Sequence, residues 1–138
     1  MARQLTRRWL RGSGGFTLIE LIVVLSLVVI LASIGLMAYT SSVQRGREAV
    51  LREDLYRMRD AIDQFYVDKG KYPAELSELV SGGYLRAIPA DPITGKTDSW
   101  QLVPAEPDPN NPSAELGIYD VKSGSEAVAI DGSKYSDW

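Results

Sequence analysis

A single carboxylate lies inside a long apolar segment near the start of the chain. Between Phe16 and Tyr39 the only acidic or basic side chain is Glu20, and nothing from Leu21 to Ala38 is more polar than serine or glycine. These 18 residues are enough for a helix to cross a hydrocarbon core of about 30 Å. A carboxylate in lipid is unfavourable by about 2.5–3.5 kcal/mol on insertion scales, so Glu20 needs a cationic partner. The sequence therefore predicts an ion pair within the membrane, and the α-amine of a neighbouring subunit would be a suitable partner.

Oxygen-bearing side chains are concentrated in a second region, residues 120–137. Carboxylate and hydroxyl oxygens, together with backbone carbonyls, are the ligands that Ca²⁺ takes in flexible loops. The same residue types also favour solvated turns, so a pair of hairpin turns is the alternative. The candidate calcium ligands are Asp120, Ser123, Glu126, Asp131 and Asp137.

The chain contains no cysteine and no histidine. Disulfides and thiolate chemistry are therefore excluded, as are a Ser-His-Asp triad and a histidine-ligated zinc site.

The residues before the apolar segment are basic. Met1 to Gly15 carries four arginines and no acid, so a chain without this leader would have a net charge of −7 instead of −3. A basic flank stays in the cytoplasm, which predicts a C-terminal part on the other side of the membrane. A secretory signal peptide would be cut beyond its apolar region, whereas here the glycines precede it and the apolar segment is longer. The acidic remainder also argues against nucleic-acid binding.

Beyond Tyr39 the pattern becomes amphipathic. One helix from Phe16 to about Asp68, stopped by Gly70, would be roughly 80 Å long. Its apolar stripe consists of Leu51, Leu55, Met58, Ile62 and Phe65 with Tyr66. Its charged face offers three i,i+4 pairs, Glu48 with Arg52, Glu53 with Arg57 and Arg59 with Asp63.

The remaining elements are short. Glu75 to Ser81 is predicted as a helix between Pro73 and a glycine pair. Three strands are predicted by β-branched or alternating residues between turn residues, Trp100 to Val103, Leu116 to Val121 and Ala127 to Ile130. The fold class is therefore α+β, with a small antiparallel sheet covering the helical stripe.

The run Gly-Phe-Thr-Leu-Ile-Glu-Leu-Ile-Val-Val at positions 15–24 resembles the N-terminal signal of type IV pilins and type II secretion pseudopilins. Residues 70–73 and 88–95 are similar to the segment that follows the long helix in G-type major pseudopilins. Many type IVa pilins close a C-terminal loop with a disulfide, and the lack of cysteine favours a pseudopilin.

This resemblance implies a pilin-like fold and a structural rather than enzymatic role. A prepilin peptidase would cut between Gly15 and Phe16 and methylate the amine of Phe16, and Glu20 would neutralise that amine on an adjacent subunit. G-type pseudopilins also bind calcium near the C-terminus, although their Gly-Ala-Asp-Gly run appears here as residues 124–127 with Glu126 in place of aspartate.

The implied organisation has three parts. Residues 1–15 form a cleaved leader, residues 16–39 the transmembrane and assembly half of the helix, and residues 40–138 a periplasmic domain. Within that domain we expect the helix over 40–69, a connector over 70–98, and the three-stranded sheet with loops over 99–138.

The implied subunit is a single-pass protein of the bacterial inner membrane that polymerises into a periplasmic pseudopilus promoting protein export. Its partners would be further copies of itself, minor pseudopilins, the prepilin peptidase and the inner-membrane assembly platform.

Two alternatives remain open. A type IV pilus subunit or minor pilin for adhesion, twitching or DNA uptake shares the N-terminal signal. A bitopic membrane protein with a periplasmic ligand-binding domain would keep its N-terminus uncleaved.

Overall fold

The computed structural model describes residues 14–113 and 115–138. The helices and strands, in chain order, are α1 (Leu18–Lys69), α2 (Leu76–Ser81), β1 (Gln101–Pro104), β2 (Ile118–Lys122) and a 3₁₀ turn (Tyr135–Asp137). The chain divides between Tyr39 and Thr40 into two compact units. Most of the basic leader, residues 1–13, lies outside the described residues.

The start of α1 is set by Thr17. Its hydroxyl accepts a hydrogen bond from the amide of Glu20 at 3.2 Å, and its carbonyl accepts one from the amide of Leu21 at 3.1 Å. Thr17 is therefore an N-cap, and the carboxylate three residues later lies in the first turn, where the helix dipole favours negative charge. The helix begins at Leu18, two residues later than the start at Phe16 that the sequence pattern predicts.

The first unit exposes its apolar side chains. Every described residue up to Tyr39 is exposed, and α1 is long and apolar enough here to cross a membrane. The two serine hydroxyls add no free donors to this surface, because Ser26 donates to the carbonyl of Ile22 at 2.8 Å and Ser33 to that of Val29 at 2.7 Å.

The second unit has an apolar core built on the rest of α1. The predicted stripe is confirmed for Leu51, Leu55, Met58, Ile62 and Phe65, which are all buried, but not for Tyr66, which is 44% exposed. The same core contains Leu76 and Leu79 from α2, Trp100, Ile118 and Val121 from the sheet region, and Ala129 and Tyr135 from the C-terminal segment. Gly70, with φ of 69°, ends α1 by donating its amide to the carbonyl of Tyr66 at 2.8 Å.

The sheet has two strands. β1 and β2 are antiparallel, with Leu102 opposite Val121 and a register shift between Val103 and Pro104. The α+β, pilin-like fold class is confirmed, with its long N-terminal helix and small antiparallel sheet.

The predicted third strand, Ala127 to Ile130, was wrong. Only Val128 forms an isolated bridge, with Lys134. The backbone folds into a tight turn, because Ala129 donates its amide to the carbonyl of Ser133 at 2.7 Å. The amide of Ile130 bonds instead to the side chain of Glu48 at 2.9 Å, so it is not available for a strand ladder.

Candidate functional site

The Gly15–Phe16 peptide bond lies just before α1. Residues 14–17 have no regular structure, and Phe16 is 81% exposed. A Cβ placed on Gly15 would meet nothing within 4 Å, so the described chain contains no steric reason for glycine at this position. The bond is therefore accessible to a processing enzyme.

Glu20 extends from the first turn of α1 as an exposed side chain. The ion pairs within residues 14–113 and 115–138 join other residues, and none of them includes Glu20. Since the surrounding helix surface is apolar and exposed, a cation for this carboxylate would have to come from outside the described part of the chain.

The five candidate calcium ligands are separated among different contacts. Asp120 pairs with Arg59 at 2.6 Å, and the hydroxyl of Ser123 donates to Asp91 Oδ2 at 2.5 Å. Glu126 pairs with Lys134 at 3.3 Å on the surface.

Asp131 has partners of its own, whereas Asp137 lies near another candidate. Asp131 accepts the amide and hydroxyl of Ser133 at 2.9 and 2.6 Å, and these hydrogen bonds hold the pKa of its carboxyl below its usual range. Asp137 lines a surface cavity of about 500 Å³ together with Asp63, Asp120 and Lys122. Across the described ranges no three acidic side chains form a group able to hold a metal. The structure therefore does not gather the five side chains into a single cluster.

Comparison of the sequence with known proteins identifies a family. Residues 10–36 match the family described as the prokaryotic N-terminal methylation motif. The chain is 30% identical over 94 residues to the type II secretion system core protein G of Klebsiella pneumoniae, covering 56% of this chain and 67% of the relative. The chain belongs to the pilin-like pseudopilin family. It is therefore a structural subunit and not an enzyme.

Other relatives of this pseudopilin are similar over comparable lengths. The type II secretion system core protein G of Aeromonas hydrophila is 28% identical over 98 residues, which are 59% of this chain and 68% of the relative. The fimbrial protein EcpC of Eikenella corrodens is 34% identical over 79 residues, which are 54% of this chain. The matched part spans only 52% of that fimbrial protein. No solved structure matches the chain significantly.

The sequence patterns missed the polar side chains that organise the C-terminal segment of the pseudopilin. The sequence pattern predicts Glu48 on the charged face of the helix, but the residue is only 7% exposed. Its position three residues before Leu51 continues the spacing of the apolar stripe, and this signal indicates burial. Of the three predicted i,i+4 pairs the structure forms Glu53 with Arg57, at 2.8 Å.

The other two pairs do not form among the described residues, because their members contact the C-terminal half of the domain. Arg59 bonds to Asp120 rather than to Asp63, and Arg52 lies over the ring of Trp138. Glu48 bonds to the C-terminal segment rather than to Arg52.

Asp91 is a second missed residue. Its side chain is fully buried, and Oδ1 accepts the amides of Ile93 at 2.8 Å and Thr94 at 3.3 Å, while Oδ2 accepts the hydroxyl of Ser123. An Asp-Pro pair commonly starts a turn in which the carboxylate bonds to the second amide along, and this could have been read from the sequence. The contact between Asp91 and Ser123, which lie 32 residues apart, could not be predicted from the sequence.

Proposed function

We propose that the chain is a subunit of a type II secretion pseudopilus. After a prepilin peptidase cuts between Gly15 and Phe16 and methylates the new amine, the subunit leaves the bacterial inner membrane and polymerises with further copies. The domain from residue 40 onward lies in the periplasm, and the growing filament promotes protein export. The observation that carries this proposal is a lone carboxylate, Glu20, on an otherwise apolar and exposed helical surface directly after an accessible Gly-Phe bond.

The proposed role of Glu20 follows from the energetics of charge in lipid. A carboxylate and a terminal amine are each unfavourable in hydrocarbon, and pairing them between subunits removes both penalties together. Because Glu20 is the only charged side chain between Phe16 and Tyr39, the pair would fix the axial register between neighbouring subunits. Minor pseudopilins and the inner-membrane assembly platform are the other partners that this role requires.

A test begins with the mass of the purified protein. A chain that starts at methylated Phe16 supports the proposal, whereas an intact leader would favour the bitopic membrane protein. The second step replaces Glu20 by leucine and follows both filament formation and export of secreted proteins. We expect both to be lost.

The matched control is Glu53→Leu, which also removes one carboxylate from α1. Glu53 is more than half exposed and pairs with Arg57 within the same helix, so this variant should assemble and export normally. Normal assembly of Glu20→Leu would refute the proposed pairing.

A type IV pilus subunit is the second candidate, and the 34% identity to a fimbrial protein favours it. A chromosomal deletion distinguishes the two. Loss of exported proteins from the medium with twitching and DNA uptake intact supports the pseudopilus, and the opposite result supports the pilus.

A further inference from the structure

Arg59 is bonded to three oxygen atoms from two separate parts of the chain. Its Nε donates to Oδ1 of Asp120 at 2.6 Å, and its Nη2 donates to the backbone oxygens of Val121 and Trp138, each at 2.9 Å. A side-chain carboxylate and backbone oxygens are also the kinds of ligand that a calcium ion gathers from loops. The planar guanidinium can hold them together because its donors are fixed in a fork.

Arg52 lies seven residues, or about two helical turns, before Arg59 and so on the same side of α1. Its guanidinium carbon is 4.4 Å from the centre of a ring of Trp138, a cation–π distance. Trp138 is fixed further, because its indole nitrogen donates to the hydroxyl of Ser133 at 2.7 Å and its ring packs edge-on against Tyr135.

Glu48 completes this row on α1. Its Oε1 accepts the hydroxyl of Tyr135 at 2.8 Å and the amide of Ile130 at 2.9 Å. Three charged side chains of one helix therefore hold residues 120–138 by ion pairing, cation–π contact and hydrogen bonding. We call Glu48, Arg52 and Arg59, with the groups that they contact, the helix clamp.

We propose that the helix clamp fixes the C-terminal segment in place of a bound divalent cation, with Arg59 supplying the positive charge. Asp120, the candidate ligand nearest to this centre, already has its charge balanced by Arg59. Ser123 and Asp131 direct their oxygens to Asp91 and Ser133, so a calcium ion would have to break existing contacts to bind. This inference concerns the folded domain and does not depend on which filament the subunit forms.

The first measurement is the melting temperature of the purified full chain in detergent, with millimolar CaCl₂ and with a chelator. We expect the two midpoints to coincide. A midpoint that rises with CaCl₂ would overturn the proposal, because the cation would then be bound preferentially by the folded state.

The second measurement is amide hydrogen exchange in Arg59→Met, which keeps much of the side-chain volume and removes the charge. We expect a melting temperature lower by about 4 °C or more. Exchange over residues 127–138 should be faster, while the middle of α1 stays protected. Asp120→Asn should also lower the melting temperature and speed exchange. The double variant should be destabilised by less than the sum of the two single variants, since both substitutions break the same interaction.

The control is Arg57→Met, which removes an equivalent charge two residues away. Arg57 is exposed and forms its ion pair with Glu53 on the same helix, so exchange over residues 127–138 should be unchanged. Equal exchange in the Arg57 and Arg59 variants would refute the clamp.

Discussion

Replacing Glu48 by leucine should destabilise the domain strongly although Glu48 is a charged residue on a helix. The leucine would remove the acceptor for the Tyr135 hydroxyl and the Ile130 amide, at 2.8 and 2.9 Å. Tyr135 is only 2% exposed, and the other group at its hydroxyl, Gln44 Nε2 at 3.2 Å, is a donor, so the hydroxyl proton would lose its acceptor. A buried donor left unpaired costs about 1–3 kcal/mol. The amide of Ile130 lies nearer the surface and should cost less.

Together these losses predict a destabilisation of about 2–4 kcal/mol. Native domains are stable by about 5–15 kcal/mol, so this is a large part of the total. The assay is denaturant unfolding of the full chain in detergent, followed by tryptophan fluorescence, to which the buried Trp100 contributes. The control is Glu53→Leu, which breaks an exposed i,i+4 pair and should cost about 0.5 kcal/mol or less. Equal losses in the two variants would show that burial of the Glu48 carboxylate contributes nothing.

Three further predictions follow from other contacts. Burial raises the pKa of the Tyr135 hydroxyl above its ordinary value. The protonated hydroxyl therefore stabilises the fold fully below about pH 10, and this stabilisation is lost as the pH rises through the folded-state pKa. Tyr135→Phe should weaken this alkaline loss of stability in melts at different pH. Gly124→Ala should lower the melting temperature because its Cβ would overlap a backbone carbonyl, whereas Gly46→Ala, with open space inside α1, should raise stability by about 0.5–1 kcal/mol. Ser123→Ala leaves Oδ2 of the buried Asp91 without its donor and should cost about 1–3 kcal/mol in denaturant unfolding.

The parts of the fold that depend on local periodicity could be predicted from the sequence. The stripe from Leu51 to Phe65 repeats at helical spacing, and Gly70 provides a stop with a positive φ. α2 and the two paired strands were also placed within one or two residues of their positions. Each of these depends on neighbours in the sequence, so the residue pattern contains the necessary information.

The parts that depend on distant contacts could not be predicted. Residues 127–130 have the composition of a strand, but the carboxylate of Glu48 takes the amide of Ile130 from 82 positions away. Arg59 has an acidic residue four positions along and still pairs with Asp120, because the tertiary fold brings a better placed carboxylate to it. Ser123 illustrates the same point, since its hydroxyl donates to Asp91, 32 positions earlier in the chain.

The threonine at the start of α1 has a consequence for maturation. The hydroxyl of Thr17 satisfies the amide of Glu20, and Thr17 lies beyond the proposed cut, so this contact needs no atom from the leader. Cutting before Phe16 would keep the contact, so a trimmed subunit would retain the cap on the turn that carries Glu20. Loss of the Thr17 hydroxyl would let the turn that carries Glu20 fray. The carboxylate would then be held less firmly in position, although no charge would have changed.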